Sequence, residues 1–531
     1  MSNNVRYYYN LTHPQKRIWY IDKINTNSSL HNIGGCLKIN EFINIDLIGQ
    51  AINIVIKNND GLRIRFIEHD NKPLQYIEDF ENEAIDFLDF SNCENPKNEH
   101  KKWSSDLFGK RFDLNESKLY YFAIYKLSEK EYGVLLNIHH IISDGWSITL
   151  IQKQLCEIYS KLINNEEISK GESHSYLDFI KEEQEYLESE RFIKNKEFWK
   201  GKFLDVPEEF LYNTSNSLDG IRQCYDIDRK LSSKIKKFID ERKCSLNTFF
   251  ISILLIYIYK TTYIKDIVLG TPVFNRTSND QKNMIGMFTS TVPFRFKLDP
   301  DLILEDLIKL VNRELKHCLI NQKYPYNLLV EELEVAKKGY DSLFKMSVNY
   351  YNSKYDNKMN GIDVDIEEYY CGNQSYSLQL IVKELEEDKI TLNFDYKTAD
   401  YSNTEIKIIY EAMTNIINEM LTDEKLSVND VKILSKQESD FKIYELYSTL
   451  SIYPKKTVYE LFEEQVFKTP DNIALEFKNK SLTYRELNER SNQLADFLSQ
   501  NDIDKKSIVA IMETHSIELM ISILGVLKSG A

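Results

Sequence analysis

The sequence predicts a mixed α/β fold, of the α+β kind, on three observations. Apolar runs rich in β-branched residues read as strands. Amphipathic stretches with helical spacing lie between them. A hydrophobic content of 42% over 531 residues supports large cores. At this length several domains are expected, at roughly 100 to 200 residues each.

"YGVLLNIHH" (132–140) reads as a buried strand. Residues Ser143 to Gly145 break it, and "WSITLIQKQLCEIYSKLI" (146–163) continues with apolar residues at helical spacing. Residues 164–175, "NNEEISKGESHS", read as a loop, and 176–203 as one long charged amphipathic helix. "FFISILLIYIYK" (249–260) is too short to span a bilayer and suits a buried core helix capped by Ser245 or Asn247. "DIVLGTPVF" (266–274), "STVPFRFKL" (290–298) and "ITLNFDYKT" (390–398) read as strands. Residues 305–323 and 403–421 read as helices. Residues 435–456 form a connector ending near Pro454, after which a shorter unit runs to Ala531.

The formal net charge of −15 argues against non-specific nucleic-acid binding, which needs a basic face. Seven scattered cysteines (Cys36, Cys93, Cys156, Cys224, Cys244, Cys318 and Cys371) form no C-x-x-C and read as reduced thiols. The start "MSNNVRYYYN" lacks the layout of a signal peptide, so no membrane partner and a cytoplasmic location are expected.

Two of only nine histidines, His139 and His140, stand side by side where the strand 132–140 gives way to a turn. Consecutive strand residues face opposite sides, so the pair does not converge on one metal ion, and no third ligand stands at metal spacing. One imidazole is therefore expected to face a cleft and handle a proton, with the other packing in support. Asp144, beside Gly145, can hold the turn through an ion pair. A Ser-His-Asp hydrolase is the rival reading, but no G-x-S-x-G elbow is present.

"HHIISDGWS" (139–147) resembles the HHxxxDGxS signature of condensation domains from nonribosomal peptide synthetases. Other stretches follow in family order: "LTHPQKRIWY" (11–20), with Thr12, Gln15, Arg17 and Trp19; "NNDGLRIRF" (58–66), with Arg63; "YLDF" (176–179); "MIGMFTSTVPFR" (284–295); and "NQKYPYNLL" (321–329). "SLFKMSVNYYN" (342–352) keeps only a trace of the seventh motif. Ser290, where chain-elongating members usually carry Asn, makes the set most similar to starter condensation domains of surfactin-type lipopeptide synthetases. The tail, "TVYELFEEQVFKTPDNIALEF", "SLTYRELNERSNQLADFL" and "ILGVLKSGA", resembles the beginning of an adenylation domain. "GYDSL" (339–343) resembles a carrier-protein motif only faintly, and Ser342 is read as structural.

The resemblance implies a two-lobed, V-shaped fold like that of chloramphenicol acetyltransferase. Its lobes are expected at 1–175 and 176–435, with a linker at 436–456 and a partial adenylate-forming domain at 457–531. It implies an amide-forming acyltransferase that joins a fatty acyl thioester to an aminoacyl thioester, starting a lipopeptide. His140 is then the base, supported by His139, and the Gly145 N–H is an oxyanion donor. Asp144 is implied to pair with Arg276 of "PVFNR" across the lobes, while Trp146, Ser147, Arg17 and Ser290 line the substrate tunnel. No cofactor or metal is implied to be permanently bound. The expected partners are phosphopantetheine-tethered substrates on carrier domains and an acyl-CoA or acyl carrier protein donor. With Met1 opening directly on the domain, no upstream carrier is expected, and the adenylation fragment is expected to be inactive. An elongation-type condensation domain and a non-catalytic recruiting or scaffold domain are the alternatives.

Overall fold

The computed structural model describes residues 6–26, 28–168, 174–207, 215–338, 342–351, 358–384, 389–435, 439 and 454–531. The chain separates into two compact units, 1–435 and 436–531. Most of the 436–456 connector, and the seventh-motif Asn352, lie outside the described residues.

In the first unit the elements run β1 (Tyr9–Asn10), α1 (His13–Ile24), β2 (Asn32–Ile39), α2 (Ile45–Asn58), β3 (Ile64–His69), β4 (Lys72–Ile77), β5 (Asp86–Asp89), α3 (Pro96–Phe108), β6 (Tyr120–Ser128), β7 (Glu131–His139) and α4 (Gly145–Ile163). They continue with α5 (Tyr176–Leu187), α6 (Glu190–Lys202), β8 (Gly220–Ile227), α7 (Arg229–Arg242), α8 (Leu246–Thr262), β9 (Asp266–Val273), α9 (Asn279–Asn283), β10 (Ser290–Lys297), α10 (Leu304–Ile320) and α11 (Tyr326–Glu332). After these come β11 (Met346–Tyr351), β12 (Lys358–Met359), β13 (Ile362–Glu368), β14 (Leu378–Lys383), β15 (Ile390–Lys397) and α12 (Asn403–Thr422).

Two six-stranded sheets organise this unit, in the orders β12-β13-β2-β7-β6-β5 and β10-β9-β11-β14-β15-β8. β7 lies between β2 and β6, antiparallel to both. That central position accounts for its nearly continuous apolar run, since both faces are covered. The long helix expected over 176–203 is instead two, α5 and α6. The hydroxyl of Ser189 accepts the Phe192 N–H and caps α6, so the break has a local cause that the amphipathic pattern hides. The division at residue 175 does not separate the sheets either: β13, far beyond it in sequence, pairs with β2 in the first sheet, with Ile366 opposite Leu37. The edge of β2 offers unpaired backbone groups, and β13 satisfies them.

α8 is the predicted core helix, capped by the Ser245 hydroxyl on Thr248 N–H. It is apolar on all sides and packs into the core of the second sheet. Among the described residues no single helix is long and apolar enough to cross a membrane. The first core includes Met284, Ile285, Met287 and Phe288, so the segment between α9 and β10 packs onto the first sheet's side. The second unit holds helices Val458–Lys468, Tyr484–Gln500 and Ile517–Ser529 with a hairpin of strands Ile473–Phe477 and Lys480–Thr483, around a small core of Leu482, Leu487, Ile517 and Leu524.

Leu255→Ala in α8, at a fully buried position, is expected to cost about 2–5 kcal/mol. Ile408→Ala on the exposed face of α12 is expected to stay within about 0.5 kcal/mol. Urea unfolding of the two variants side by side checks the contrast.

Candidate active site

β7 ends at His139, whose N–H donates to the Leu119 carbonyl at 2.8 Å. Both ring nitrogens of His139 are engaged. Nδ1 accepts the Ile141 N–H at 3.2 Å, so Nε2 carries the proton and donates it to Asp22 Oδ2 at 3.0 Å. The ring is sealed, with 2% of the side chain exposed. Burial pulls its pKa down against the opposing pull of Asp22, so it is neutral near pH 7.

His140 leaves the strand and opens a 3₁₀ turn, His140–Ile142. Its N–H donates to the His31 carbonyl at 2.7 Å, and its ring Nδ1 contacts the Ser143 carbonyl at 2.7 Å. A carbonyl only accepts, so Nδ1 holds the proton and Nε2 keeps its lone pair. The residue is partly exposed, and Nε2 is neither partnered among the described residues nor sealed. Burial lowers its pKa to about 4, helped by the nearby His31 ring and opposed by Asp144 and the Ser143 carbonyl. The ring is therefore an uncharged acceptor throughout the neutral range.

The turn is braced from the second half of the chain. Asp144 caps α4, its Oδ1 accepting the Ser147 N–H at 2.8 Å and the Ser147 hydroxyl at 2.8 Å. Arg276 Nη2 donates to the same oxygen at 2.9 Å, and neither Asp144 nor Arg276 exposes any side-chain surface. Oδ2 accepts from Phe288 N–H at 3.3 Å and Thr289 Oγ1 at 3.2 Å. The guanidinium also reaches the Gln281 carbonyl at 2.5 Å and the Met284 carbonyl at 2.6 Å, and it lies 3.9 Å over the Phe288 ring. Burial pushes the Asp144 carboxyl up, but Arg276 and the two Ser147 donors outweigh it and hold it below the usual carboxylate range.

The remaining sequence-derived residues fall in different places. Gly145 is the first residue of α4, where backbone N–H groups have no acceptor within the helix. A Cβ there would meet the Tyr351 ring at 3.3 Å, a tight contact that glycine avoids. Trp146 is partly exposed and donates from Nε1 to the Lys282 carbonyl at 2.8 Å, with Phe274 edge-on at 5.1 Å. Arg17 and Ser290 line one cleft together with His13, Glu183, Asn275 and Lys323. Arg17 Nη1 donates to Thr291 Oγ1 at 3.2 Å. Ser147 requires a correction. It lines no passage but is fully buried, its hydroxyl bridging Asp144, Arg276 and the Gly286 carbonyl (2.9 Å). The helix-capping geometry that puts Asp144 over residue 147 turns that hydroxyl inward.

Two polar residues of the site escaped the sequence reading. Asp22 of α1 and His31, just before β2, complete the polar cluster around His139, with His31 Nδ1 donating to Asp22 Oδ1. One candidate ligand atom from each of Asp22, His31 and His139 lies within 4.8 Å of the others. With the tautomers assigned above, the carboxylate accepts one imidazole N–H on each oxygen. The rarity of histidine was the available signal: His31 is one of nine.

The sequence matches the family described as Condensation domain over residues 5–441. This chain belongs to the condensation-domain family. Residues 462–531 match the family described as AMP-binding enzyme, so a condensation domain is followed by the beginning of a second domain. The chain is similar to surfactin synthase subunit 1 of Bacillus subtilis (strain 168), 32% identical over 98% of this chain and 15% of that protein. It is also similar to a plipastatin synthase of the same strain, 30% identical over 98% of this chain and 21% of that protein. It thus spans about a fifth or less of these relatives. Among solved structures, the starter condensation domain of rhizomide synthetase RzmA, a double mutant in complex with C8-CoA and Leu-SNAC, superposes with a TM-score of 0.73 at 22% identity, covering 81% of this chain and 98% of that one. The first condensation domain of the calcium-dependent antibiotic synthetase, in complex with a substrate analogue, gives 0.73 at 18% identity, covering 82% and 100%. These likenesses establish the condensation-domain fold.

Arg276→Ala strands the Asp144 carboxylate in the condensation domain's interior and is expected to cost about 3–5 kcal/mol in urea unfolding. Arg276→Lys should recover little, because one ammonium cannot span acceptors held by separate groups of the guanidinium. Asp144 has a depressed folded pKa. Its stabilisation is therefore complete above the unfolded value of about 3.9 and disappears as pH falls through the folded value. Asp144→Asn should remove that acid-side slope.

Proposed function

We propose that this condensation domain is an amide-forming acyltransferase that joins an acyl thioester to an aminoacyl thioester on a carrier domain. The observation that carries the reading is the tautomer of His140: with Nδ1–H tied to the Ser143 carbonyl, a bare Nε2 projects from the end of a rigid strand. An α-amino group titrates near 7.7–8.0, so a minority is neutral at pH 7 and can attack without prior deprotonation. Nε2 of His140 accepts an N–H of that amine and orients its lone pair, and the nitrogen sheds a proton within this centre once attack has made it acidic. The C–N bond forms, the C–S bond breaks, and the proton ends on the thiolate. The Gly145 N–H, at the positive end of α4, is the donor assigned to the carbonyl oxygen as it becomes anionic. Asp144 and Arg276 touch no substrate; they hold the turn that carries both groups.

The acyl donor is assigned as a fatty acyl thioester, which makes this a starter domain of lipopeptide assembly. Similarity to surfactin and plipastatin synthases supports that choice. So does the fold match to a starter domain solved with C8-CoA. Phosphopantetheine-tethered aminoacyl groups on a carrier domain are the acceptors, an acyl-CoA or acyl carrier protein is the donor, and the location is cytoplasmic. The two lobes of the catalytic domain are assigned to 1–175 and 176–435, with β12 and β13 of the second stretch completing the first sheet.

Incubation of the purified protein with octanoyl-CoA and a loaded aminoacyl carrier, followed by mass spectrometry of the carrier arm, tests the reading. An octanoyl increment supports the starter assignment. An increment only from a peptidyl carrier points to elongation, and none from either donor points to a recruiting domain. His140→Ala is expected to lower kcat by about 10²–10⁴-fold. Because the folded His140 charges only near pH 4, the acid limb due to this ring should fall near pH 4 in a kcat/KM profile, which reports the free enzyme, and not near the ordinary histidine value.

A further inference from the structure

Three imidazoles meet at the end of β7, and their hydrogen bonds leave them unequal. His139 has no free nitrogen. His140 and His31 each have Nδ1 engaged and Nε2 free: Nε2 of His31, like that of His140, has no partner among the described residues and is not sealed. His31 keeps 11% of its side chain exposed, against 2% for His139. It adjoins His140 directly, since its carbonyl accepts the His140 N–H at 2.7 Å, and the next residue, Asn32, pairs with His139 across β2 and β7. Its ring stands edge-on to that of His139 at 5.7 Å.

What lies behind each free nitrogen differs. Behind His140 is a neutral carbonyl. Behind His31 is Asp22, whose carboxylate is 6% exposed and whose pKa burial pushes up but its bonds to His139 and His31 bring well below the usual range, so it is ionised. A carboxylate on Nδ1–H holds the tautomer that presents an Nε2 lone pair, and it stabilises the imidazolium formed when that nitrogen takes a proton. Asp22 itself is pinned: Arg111 Nη2 donates to its main-chain carbonyl at 3.3 Å and Nη1 to that of Thr26 at 2.9 Å. Burial lowers the pKa of His31 overall; Asp22 opposes that by favouring its cation, while His139 and Arg17 add to it.

We propose that His31, backed by Asp22, is a second catalytic residue of the amide-forming centre: its Nε2 takes the proton that the attacking amine loses while His140 Nε2 holds the amine's other N–H. This rests on the function proposed above. In the step, nitrogen bonds to the thioester carbon and the C–S bond breaks. The proton passes from nitrogen to His31 Nε2 and then to the departing thiolate, so charge and atoms balance without a further reactant. Asp22 is the positioning residue, acting only through the imidazoles.

Steady-state kinetics with octanoyl-CoA and a leucyl N-acetylcysteamine thioester tests it. His31→Asn should lower kcat about 10²-fold or more with KM within about twofold, and added imidazole should restore part of the rate. Asp22→Asn should lower kcat without rescue by imidazole, Asp22→Glu should recover some of it, and the Asp22→Asn, His31→Asn double variant should be no slower than the slower single. On the wild type, diethyl pyrocarbonate should modify His31 and His140 but not His139, and octanoyl-CoA with the acceptor should protect both. A His31→Asn enzyme with kcat within twofold of wild type overturns the proposal, as does a loss of rate that imidazole does not relieve. Should that variant fold poorly, a wild-type His31 that is unmodified or unprotected overturns it equally. A wild type that makes no amide counts against the function reading instead, whereas an active wild type with a silent His31 counts against this inference alone.

Discussion

The buried ion pair between Asp144 and Arg276 is the constraint on which the rest of the site depends. Both charges are removed from water, and such a pair is tolerable only when further hydrogen bonds offset the lost hydration. Here the carboxylate has donors on both oxygens, from Ser147, Arg276, Phe288 and Thr289. The guanidinium finds carbonyls at Gln281 and Met284 through Nη1 and an aromatic face at Phe288, and only its buried Nε–H lacks a partner among the described residues. The geometry of the turn after His140 is therefore set by groups from the 276–289 segment, and the first core and the segment between α9 and β10 form one packed body. Gly286 belongs to the same logic: a Cβ there would collide with the Tyr176 ring at 2.2 Å, so its smallness lets α5 close over the network.

Around that anchor the imidazoles divide the work by hydrogen bonding. The chemistry of a histidine is decided by what its other nitrogen touches. A backbone N–H on Nδ1 and a carboxylate on Nε2 retire His139 from proton transfer and make it a strut between α1 and β7. A carbonyl on Nδ1 leaves His140 uncharged with its lone pair outward. The fall of its pKa to about 4 suits a group that must accept a hydrogen bond from an amine at neutral pH rather than repel it as a cation. The ionised Asp22 supplies the one negative charge in the cluster, and the two imidazole donors keep it from being an unpaired buried charge.

Much of the architecture was legible in local sequence. The strand ending at His139, the Asp-Gly turn, the apolar helix 246–262 capped at Ser245 and the strands at 266–273, 290–297 and 390–397 all follow from periodicity and capping chemistry. The single helix expected over 176–203 failed because a serine cap lies within a pattern that is amphipathic on both sides of it. In the site, His140, Asp144 and Gly145 stand on the motif itself, and the partnership of Asp144 with Arg276 came from the family resemblance. Ser147 was misplaced because a motif shows spacing and not which way a hydroxyl turns.

By itself, then, the sequence determined the elements, the order of the family's motifs and the turn that carries the paired histidines, because these depend on neighbours a few residues apart. Only the tertiary structure decided which imidazole is sealed and which is open. Asp22 lies 117 residues from the His139 it binds, and the carbonyl that receives the His140 N–H belongs to the residue preceding β2. A side chain's protonation and reach are set by the groups that pack against it. Those groups are brought together by pairing β2 with β7 and laying α1 beside them, which no local pattern encodes.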